Sequence, residues 1–96
     1  MRDGIAICEG LSNHEWNYSC SHGAGRKMSR SKAKQNISLD DFRNSMKNVY
    51  STCINTSTID EAPMAYKDTE EIKRLISETC KVKYMVIPKI NLKAAE

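Results

Sequence analysis

Residues 21–30 read SHGAGRKMSR and decide how the rest of the chain is interpreted. Two glycines beside His22 remove side-chain bulk, so the backbone amides of residues 23–26 can turn toward an anion. Ser29 is a good helix N-cap residue and predicts a short helix over residues 30–35. The stretch therefore predicts a glycine turn followed by a helix start, an arrangement suited to phosphate.

Basic side chains crowd into the same region. Five of them fall within nine residues that include no acidic residue: Arg26, Lys27, Arg30, Lys32 and Lys34. The guanidinium groups of Arg26 and Arg30 are permanently charged forks that match phosphate geometry. Because the net charge of the chain is only +3, this cluster and not the overall charge indicates a phosphate-rich ligand. A solvated basic helix face is the alternative interpretation.

The flanking sequence predicts an α+β fold with strand segments at both ends and two main helices between them. Residues 4–9 indicate a short strand that ends at Gly10. Alternating apolar residues from Val82 indicate extended chain near the other end, with Pro88 at an edge or bulge. Residues 55–67, which contain a proline and several turn-forming residues, are predicted to form a connection.

Both main helices have recognisable start signals. Residues 38–41 match a capping box with Asp in place of Glu, and the apolar face that follows comprises Leu39, Phe42, Met46, Val49 and Tyr50. Residues 68–71 begin the second helix with acidic side chains that favour its N-terminus. That helix is predicted to end near Cys80, with one apolar side formed by Ile72, Leu75, Ile76 and Cys80.

Composition narrows the class of protein. With 96 residues, 40% apolar and 28% charged, the chain is typical of one globular domain. It has no apolar run that could span a bilayer and no signal-peptide pattern, so we expect no membrane contact and a cytoplasmic location. Four cysteines without a Cys-x-x-Cys pair predict reduced, mostly buried thiols. His14 has no partners that would fix a metal site and is predicted to be a surface histidine.

Four segments together carry a resemblance to a known family. EWNYS at residues 15–19 and SHGAGRKMSR at residues 21–30 closely resemble the signature of RtcB-type tRNA-splicing ligases. DEAPMAYKD at residues 60–68 looks like the second carboxy-terminal signature of that family, and PKINLKA at residues 88–94 looks like its usual terminus. The matches occur in the family's order and extend over nearly the whole chain.

The resemblance implies a chemical activity. Members of the family join RNA that ends in a 2′,3′-cyclic phosphate or 3′-phosphate to RNA with a 5′-hydroxyl, such as tRNA halves or broken RNA, using GTP and manganese. By analogy, His22 is the catalytic nucleophile that becomes covalently linked to GMP, and its ring must be neutral to attack. Arg26 and Arg30 are the candidates for neutralising charge on the phosphates.

The same resemblance implies a nucleotide site. It comprises His22, Gly23, Ala24, Gly25, Arg26, Tyr66 and Lys93. Tyr66 offers a flat ring for stacking on guanine, and Lys93 offers a donor to the base. The competing interpretation makes Tyr66 a loop aromatic that packs on the core and makes Lys93 a solvated tail residue.

The manganese ligands of the family lie upstream of any segment matched here, so no metal ligand is assigned. Residues 1–96 are accordingly interpreted as a carboxy-terminal segment of an RtcB-like catalytic domain, expected to need an amino-terminal partner segment and to be inactive alone. The alternative from another class is a non-catalytic module that binds RNA phosphates or assists assembly. Apolar faces without a partner would also permit self-association.

Overall fold

The structure is a computed structural model that describes residues 1–94, so the last two residues of the interpreted 1–96 segment lie outside it. It contains strands β1 (Ile5–Gly10) and β2 (Cys80–Val86), and helices α1 (Arg30–Asn36), α2 (Leu39–Ser45) and α3 (Thr69–Leu75). Single 3-10 turns lie at His14–Trp16, Ile59–Glu61 and Pro63–Ala65. The predicted α+β class is confirmed.

The two strands join opposite ends of the chain in one antiparallel pair. The register runs from Ile5 opposite Val86 to Gly10 opposite Cys80, with an irregularity between Ile7 and Cys8. All six residues of β1 are exposed, so the sheet lies outside the core. Strand segments at both ends were predicted correctly, although β2 begins at Cys80 and not at Val82.

The core lies between α1, α2 and the two 3-10 turns of the connection. Its buried residues are Ala33, Ile37, Phe42, Met46, Val49, Ile59, Ala62 and Ala65. Phe42 and Met46 are the largest fully buried side chains. Ser29 and Ser38 cap α1 and α2 as predicted, because their hydroxyl oxygens accept from the amides of Lys32 and Asp41 at 3.1 Å each.

The predicted extent of the second and third helices was wrong. α2 ends at Ser45, so Met46 and Val49 reach the core from a turn, whereas Tyr50 is 69% exposed and does not belong to an apolar face. Tyr50 leaves the helix because its backbone pairs with Lys89 and Asn91 in extended geometry.

α3 ends at Leu75, five residues before Cys80. Leu75 is exposed, Ile72 and Ile76 are half-buried, and a turn over residues 76–79 leads into β2. Cys80 is buried and is the first residue of that strand, where its backbone pairs with Gly10. At Cys80, pairing with the other strand is therefore favoured over continuation of the helix.

The thiols differ from the sequence-based expectation. All four cysteines are free, as predicted, but only Cys80 is buried, while Cys8 and Cys20 are exposed and Cys53 is half-buried. Cys8 lies in β1, whose faces are both open to solvent, and Cys20 lies in the exposed loop before His22. The prediction of mostly buried thiols was wrong, because β1 and the loop before His22 lie outside the core.

The molecule is elongated for its length. Its radius of gyration is 15.0 Å, against about 12 to 13 Å expected for a compact domain of this size. The difference arises because the two-stranded sheet projects from the helical core and exposes apolar side chains: Ile5, Ile7, Tyr84 and Val86.

Gly4 is the position where the sheet depends on the absence of a side chain. Its φ is +95°, and an added Cβ would lie 2.2 Å from the carbonyl oxygen of Val86. We therefore expect Gly4→Ala to lower the free energy of unfolding by about 2 kcal/mol, since backbone cannot move aside cheaply. Urea denaturation followed by circular dichroism measures this. Gly10→Ala is the control, because an added Cβ meets nothing within 4 Å there; equal losses in both variants would contradict the prediction.

Candidate nucleotide site

The connection over residues 55–67 is an ordered platform. Its two 3-10 turns bury Ile59, Asp60, Ala62 and Ala65 against α1 and α2. Pro63 occupies the first position of the second turn, where its fixed φ suits a helical start and its missing amide costs nothing. Tyr66, which directly follows the second turn, therefore extends from an ordered backbone.

The glycine loop is attached to this platform through the backbone. Arg26 and Tyr66 form an antiparallel bridge, in which the Lys27 amide donates to Ala65 at 3.0 Å and the Lys67 amide donates to Gly25 at 3.0 Å. Gly25 has a φ of +76°, a conformation that other residues rarely adopt. The bridge brings the loop that carries His22 beside the segment that carries Tyr66.

Arg26 reinforces the same junction with its side chain. The guanidinium donates to the carbonyl oxygens of Met28 and Asp60 at 3.1 and 2.6 Å, and to the Tyr66 hydroxyl at 3.3 Å. It also lies 5.1 Å from the centroid of the Tyr66 ring, within range of a cation–π contact. Arg26 therefore fixes the Tyr66 ring as well as the glycine loop.

Glu61 joins three further side chains. Its carboxylate accepts from the Tyr66 hydroxyl at 2.6 Å and from Arg30 at 2.5 Å, and it lies 3.6 Å from the Lys93 ammonium. Arg30 also donates to the Asp60 carboxylate at 2.9 Å. The two acidic residues of the platform thus contact charged and aromatic side chains from three separate parts of the chain.

These contacts change the acidity of the groups involved. The hydrogen bond from Tyr66, and next that from Arg30, lower the pKa of Glu61 to about 2, so its carboxylate is ionised at neutral pH. Burial, and then the Glu61 carboxylate, raise the pKa of the Tyr66 phenol. Tyr66 therefore remains a neutral hydrogen-bond donor.

Lys93 reaches the site because the carboxy-terminal segment lies beside residues 50–53. The Tyr50 amide donates to Lys89 at 2.8 Å, and the Asn91 amide donates to Tyr50 at 2.9 Å. The Cys53 sulfur then accepts from the Lys93 amide at 3.2 Å and donates to its carbonyl oxygen at 3.3 Å. The first of these bonds is the main reason that the pKa of Cys53 is lowered.

A cleft of about 570 Å³ has Tyr66 in its lining. His22, Gly23 and Ala24 line it together with Tyr66 and Lys67. His22 is exposed, so its imidazole can be approached from solvent. Further charged and apolar residues also line it, among them Arg2, Asp3, Lys73, Ile72, Ile76 and Met85. The cleft can therefore accept a molecule with both an anionic and a flat apolar part.

The structure thus gathers the residues predicted from sequence into two adjoining groups. His22, Gly23, Ala24 and Tyr66 line the cleft, and Gly25 and Arg26 attach the glycine loop to the platform. Arg30 and Lys93 do not line the cleft but meet Tyr66 through Glu61. Both arginines hydrogen-bond to protein groups, and their contact with phosphate stays a prediction.

Sequence reasoning missed Glu61 and Asp60 as members of the site. Both lie within the DEAPMAYKD segment at residues 60–68, of which Tyr66 was the predicted site residue. The signal that could have found them is the pairing of two adjacent acidic residues with a basic cluster some thirty positions away. Spacing along the chain does not reveal which of those charges meet.

No group of three or more His, Cys, Asp or Glu side chains that could hold a metal ion lies within residues 1–94. His14 is exposed, as predicted, and its ring contacts Tyr18 edge to face with centroids 5.7 Å apart. None of the helices in the described range is long and apolar enough to cross a membrane.

Comparison with known proteins identifies the family. The model for the tRNA-splicing ligase RtcB family matches residues 1–94, which is almost the entire chain. The chain therefore belongs to the RtcB family of tRNA-splicing ligases, and the resemblance inferred from its four segments is confirmed.

Curated relatives agree with this assignment. The RNA-splicing ligase RtcB of Escherichia coli strain K12 is 44% identical over 78 residues, which cover 81% of this chain and 19% of the relative. The tRNA-splicing ligase RtcB of Nanoarchaeum equitans is 35% identical over 63 residues, which cover 62% of this chain and 13% of the relative. The chain spans about a fifth of the length of the E. coli relative. No solved structure matches the chain significantly.

The low pKa of Glu61 gives a prediction about acid stability. A lowered folded-state pKa contributes stability above the unfolded value of about 4.5, and this contribution is lost as pH falls toward about 2. Glu61→Gln should therefore lower the free energy of unfolding at pH 7, and its deficit relative to wild type should shrink between pH 4.5 and pH 2. Urea denaturation at several pH values measures the difference.

Glu71→Gln is the control for this experiment, because Glu71 lies 4.0 Å from Arg74 with both side chains largely exposed. Exposed pairs of this kind contribute little at any pH. A Glu61→Gln deficit that stays constant from pH 7 to pH 2 would contradict the assignment of the network to an ionised carboxylate.

Proposed function

We propose that this chain supplies the nucleotide-accepting histidine and part of the guanine pocket of an RNA ligase. The substrates are GTP and RNA ends that carry a 2′,3′-cyclic phosphate or 3′-phosphate and a 5′-hydroxyl. The observation that supports this most directly is that His22 and Tyr66, 44 positions apart, line one cleft. Membership in the RtcB family agrees with the proposal.

His22 is the proposed nucleophile. A lone pair on its neutral imidazole attacks the α-phosphorus of GTP, a nitrogen–phosphorus bond forms, and the bond to the leaving pyrophosphate breaks. The ring proton is released as the phosphoramidate is made. The GMP then passes to the RNA 3′-phosphate, and the 5′-hydroxyl displaces it to form the new phosphodiester. Exposure of His22 at the cleft supports this role, because both GTP and RNA must reach the ring.

Tyr66 and Lys93 are the proposed guanine contacts. The Arg26 guanidinium lies 5.1 Å from the centroid of the Tyr66 ring, so a stacked base would use the ring face opposite this cation. Lys93 would donate to an acceptor on the base. Gly23, Ala24 and Gly25 would let phosphates approach the loop closely, because they present little or no side chain.

Arg26 and Arg30 have different proposed roles. Arg26 is half-buried and holds the loop against Tyr66, so its contribution to phosphate binding would come from N–H groups beyond those bonds. The Arg30 side chain is 62% exposed while it pairs with Asp60 and Glu61. It is therefore better placed to contact an RNA phosphate from solvent.

Manganese is proposed for the complete ligase, where it would neutralise charge on the triphosphate. The described residues do not fit a manganese site, since residues 1–94 hold no suitable ligand group. Its ligands would come from the part of the ligase that this chain does not match. For this reason we propose that the isolated chain is inactive and needs an amino-terminal segment.

A chimera tests the proposed nucleophile. This chain would replace the segment that it matches in the E. coli ligase, and the purified protein would be incubated with α-³²P-labelled GTP and manganese. We expect a covalent label that His22→Ala abolishes, because the attacking nitrogen is removed. His14→Ala, which removes the other exposed histidine, should keep the label. Label that persists in the His22→Ala protein would refute the assignment.

A non-catalytic RNA-binding module is the second candidate. Lys27, Lys32 and Lys34 are exposed and lie on or next to α1, where they can contact phosphates without a nucleotide. The exposed apolar side chains of the sheet would then serve assembly or self-association.

This candidate predicts salt-sensitive binding of RNA by the isolated chain. Between 50 and 200 mM salt, affinity should fall about tenfold or more, because phosphate contacts release counterions. Fluorescence anisotropy with a labelled single-stranded RNA measures it. Changing Lys32 and Lys34 to Ala should weaken binding, whereas His22→Ala should not. Binding that is unchanged by salt would rule out the phosphate contacts.

A further inference from the structure

Glu61 contacts both side chains that the proposed function assigns to guanine recognition, Tyr66 and Lys93. Its carboxylate binds the Tyr66 hydroxyl at 2.6 Å and lies 3.6 Å from the Lys93 ammonium. These two residues are 27 positions apart and come from separate segments. Within the described residues, this carboxylate is the group that joins them directly.

The backbone that carries Glu61 is suited to holding other groups in position. It belongs to the Ile59–Glu61 turn, in which Ile59 and Asp60 are buried. The Glu61 side chain itself is only 21% exposed. Arg30 contacts the other carboxylate oxygen at 2.5 Å and restricts its rotation. A flexible lysine that pairs with such a fixed anion loses much of its freedom before any ligand arrives.

Among the described residues, the Glu61 carboxylate is the acidic group that pairs with the Lys93 ammonium. The contact with Cys53 involves the backbone of Lys93 and not its side chain. The Lys93 ammonium has three donors, so one can point to Glu61 while another remains for a ligand. Glu61 therefore controls where the remaining donor lies relative to the Tyr66 ring.

We propose that Glu61 is a positioning residue that holds the Tyr66 ring and the Lys93 ammonium at a fixed separation, so that one purine with an oxygen acceptor fits both. This inference rests on the proposed function of Tyr66 and Lys93. Glu61 acts through these two residues and does not touch the base, because both of its oxygens are already engaged by protein donors. Its loss should reduce discrimination between purines more than it reduces the chemical step.

The first test needs no nucleotide. Acetylation of individual lysines in the wild-type and Glu61→Gln chains would be followed by mass spectrometry under limiting reagent. Lys93 should react about threefold to tenfold faster in the variant, because its charged partner is gone. Lys47, an exposed lysine that follows α2, is the internal control for general loosening of the fold. An unchanged Lys93 rate, or an equal increase at Lys47, would overturn the inference.

The second test measures discrimination in the chimera. Binding of GTP would be compared with that of 2-aminopurine riboside triphosphate, which lacks the O6 acceptor of guanine. In wild type, GTP should bind about tenfold more tightly, because a donor is otherwise left without a partner. In Glu61→Gln this ratio should fall toward one, as in Lys93→Ala, and the double variant should be no worse than either single one. A merely structural role would weaken both nucleotides equally and leave the ratio unchanged.

The two failures are distinguishable. If wild type does not discriminate, or Lys93→Ala does not change the ratio, the proposed guanine contact is wrong, and lysine acetylation still decides whether Glu61 holds Lys93. If Lys93→Ala removes discrimination but Glu61→Gln keeps it, only the positioning role is wrong. Should Glu61→Gln fail to fold, Tyr66→Phe provides the test, because it removes the bond to Glu61, together with the longer one from Arg26, and keeps the ring. That variant should bind GTP several-fold more weakly, and unchanged affinity would count against the inference.

Discussion

The site depends on the short backbone pairing between Arg26 and Tyr66. Two hydrogen bonds, from Lys27 to Ala65 and from Lys67 to Gly25, attach an exposed glycine loop to a platform that is part of the core. Without them, the loop that carries His22 would have few contacts and a large conformational entropy. The pairing therefore holds the glycine loop in place, so that its residues form one wall of the cleft.

Ion pairs and hydrogen bonds to Asp60 and Glu61 then hold the side chains that the backbone pairing has brought together. Asp60 and Glu61 lie at the end of a buried turn, where carboxylates need partners to offset the cost of desolvation. They obtain those partners from Arg30, Tyr66 and Lys93. The acidic residues of the platform thus arrange cations and a phenol without themselves lining the cleft. The groups proposed to contact a ligand are therefore different from the carboxylates that hold those groups in position.

Local chemistry made several elements predictable from the sequence. Ser29 and Ser38 supply side-chain caps, so the starts of α1 and α2 could be identified correctly. Helix ends were predicted less well, because Tyr50 and Cys80 leave the helical pattern to pair with Lys89, Asn91 and Gly10, which are distant in sequence. Apolar periodicity contains no information about such pairing, and it overestimated both helices.

The amino-acid sequence by itself indicated the family, because the four segments are local patterns that keep their order along the chain, and the resemblance to that family implied His22 as the candidate nucleophile. Tertiary structure alone decided that Tyr66 faces the same cleft as His22, and that Glu61 joins Tyr66 to Arg30 and Lys93. The physical reason is that a carboxylate can pair with any of several nearby cations, and only the packed backbone fixes which of them lies within hydrogen-bonding distance.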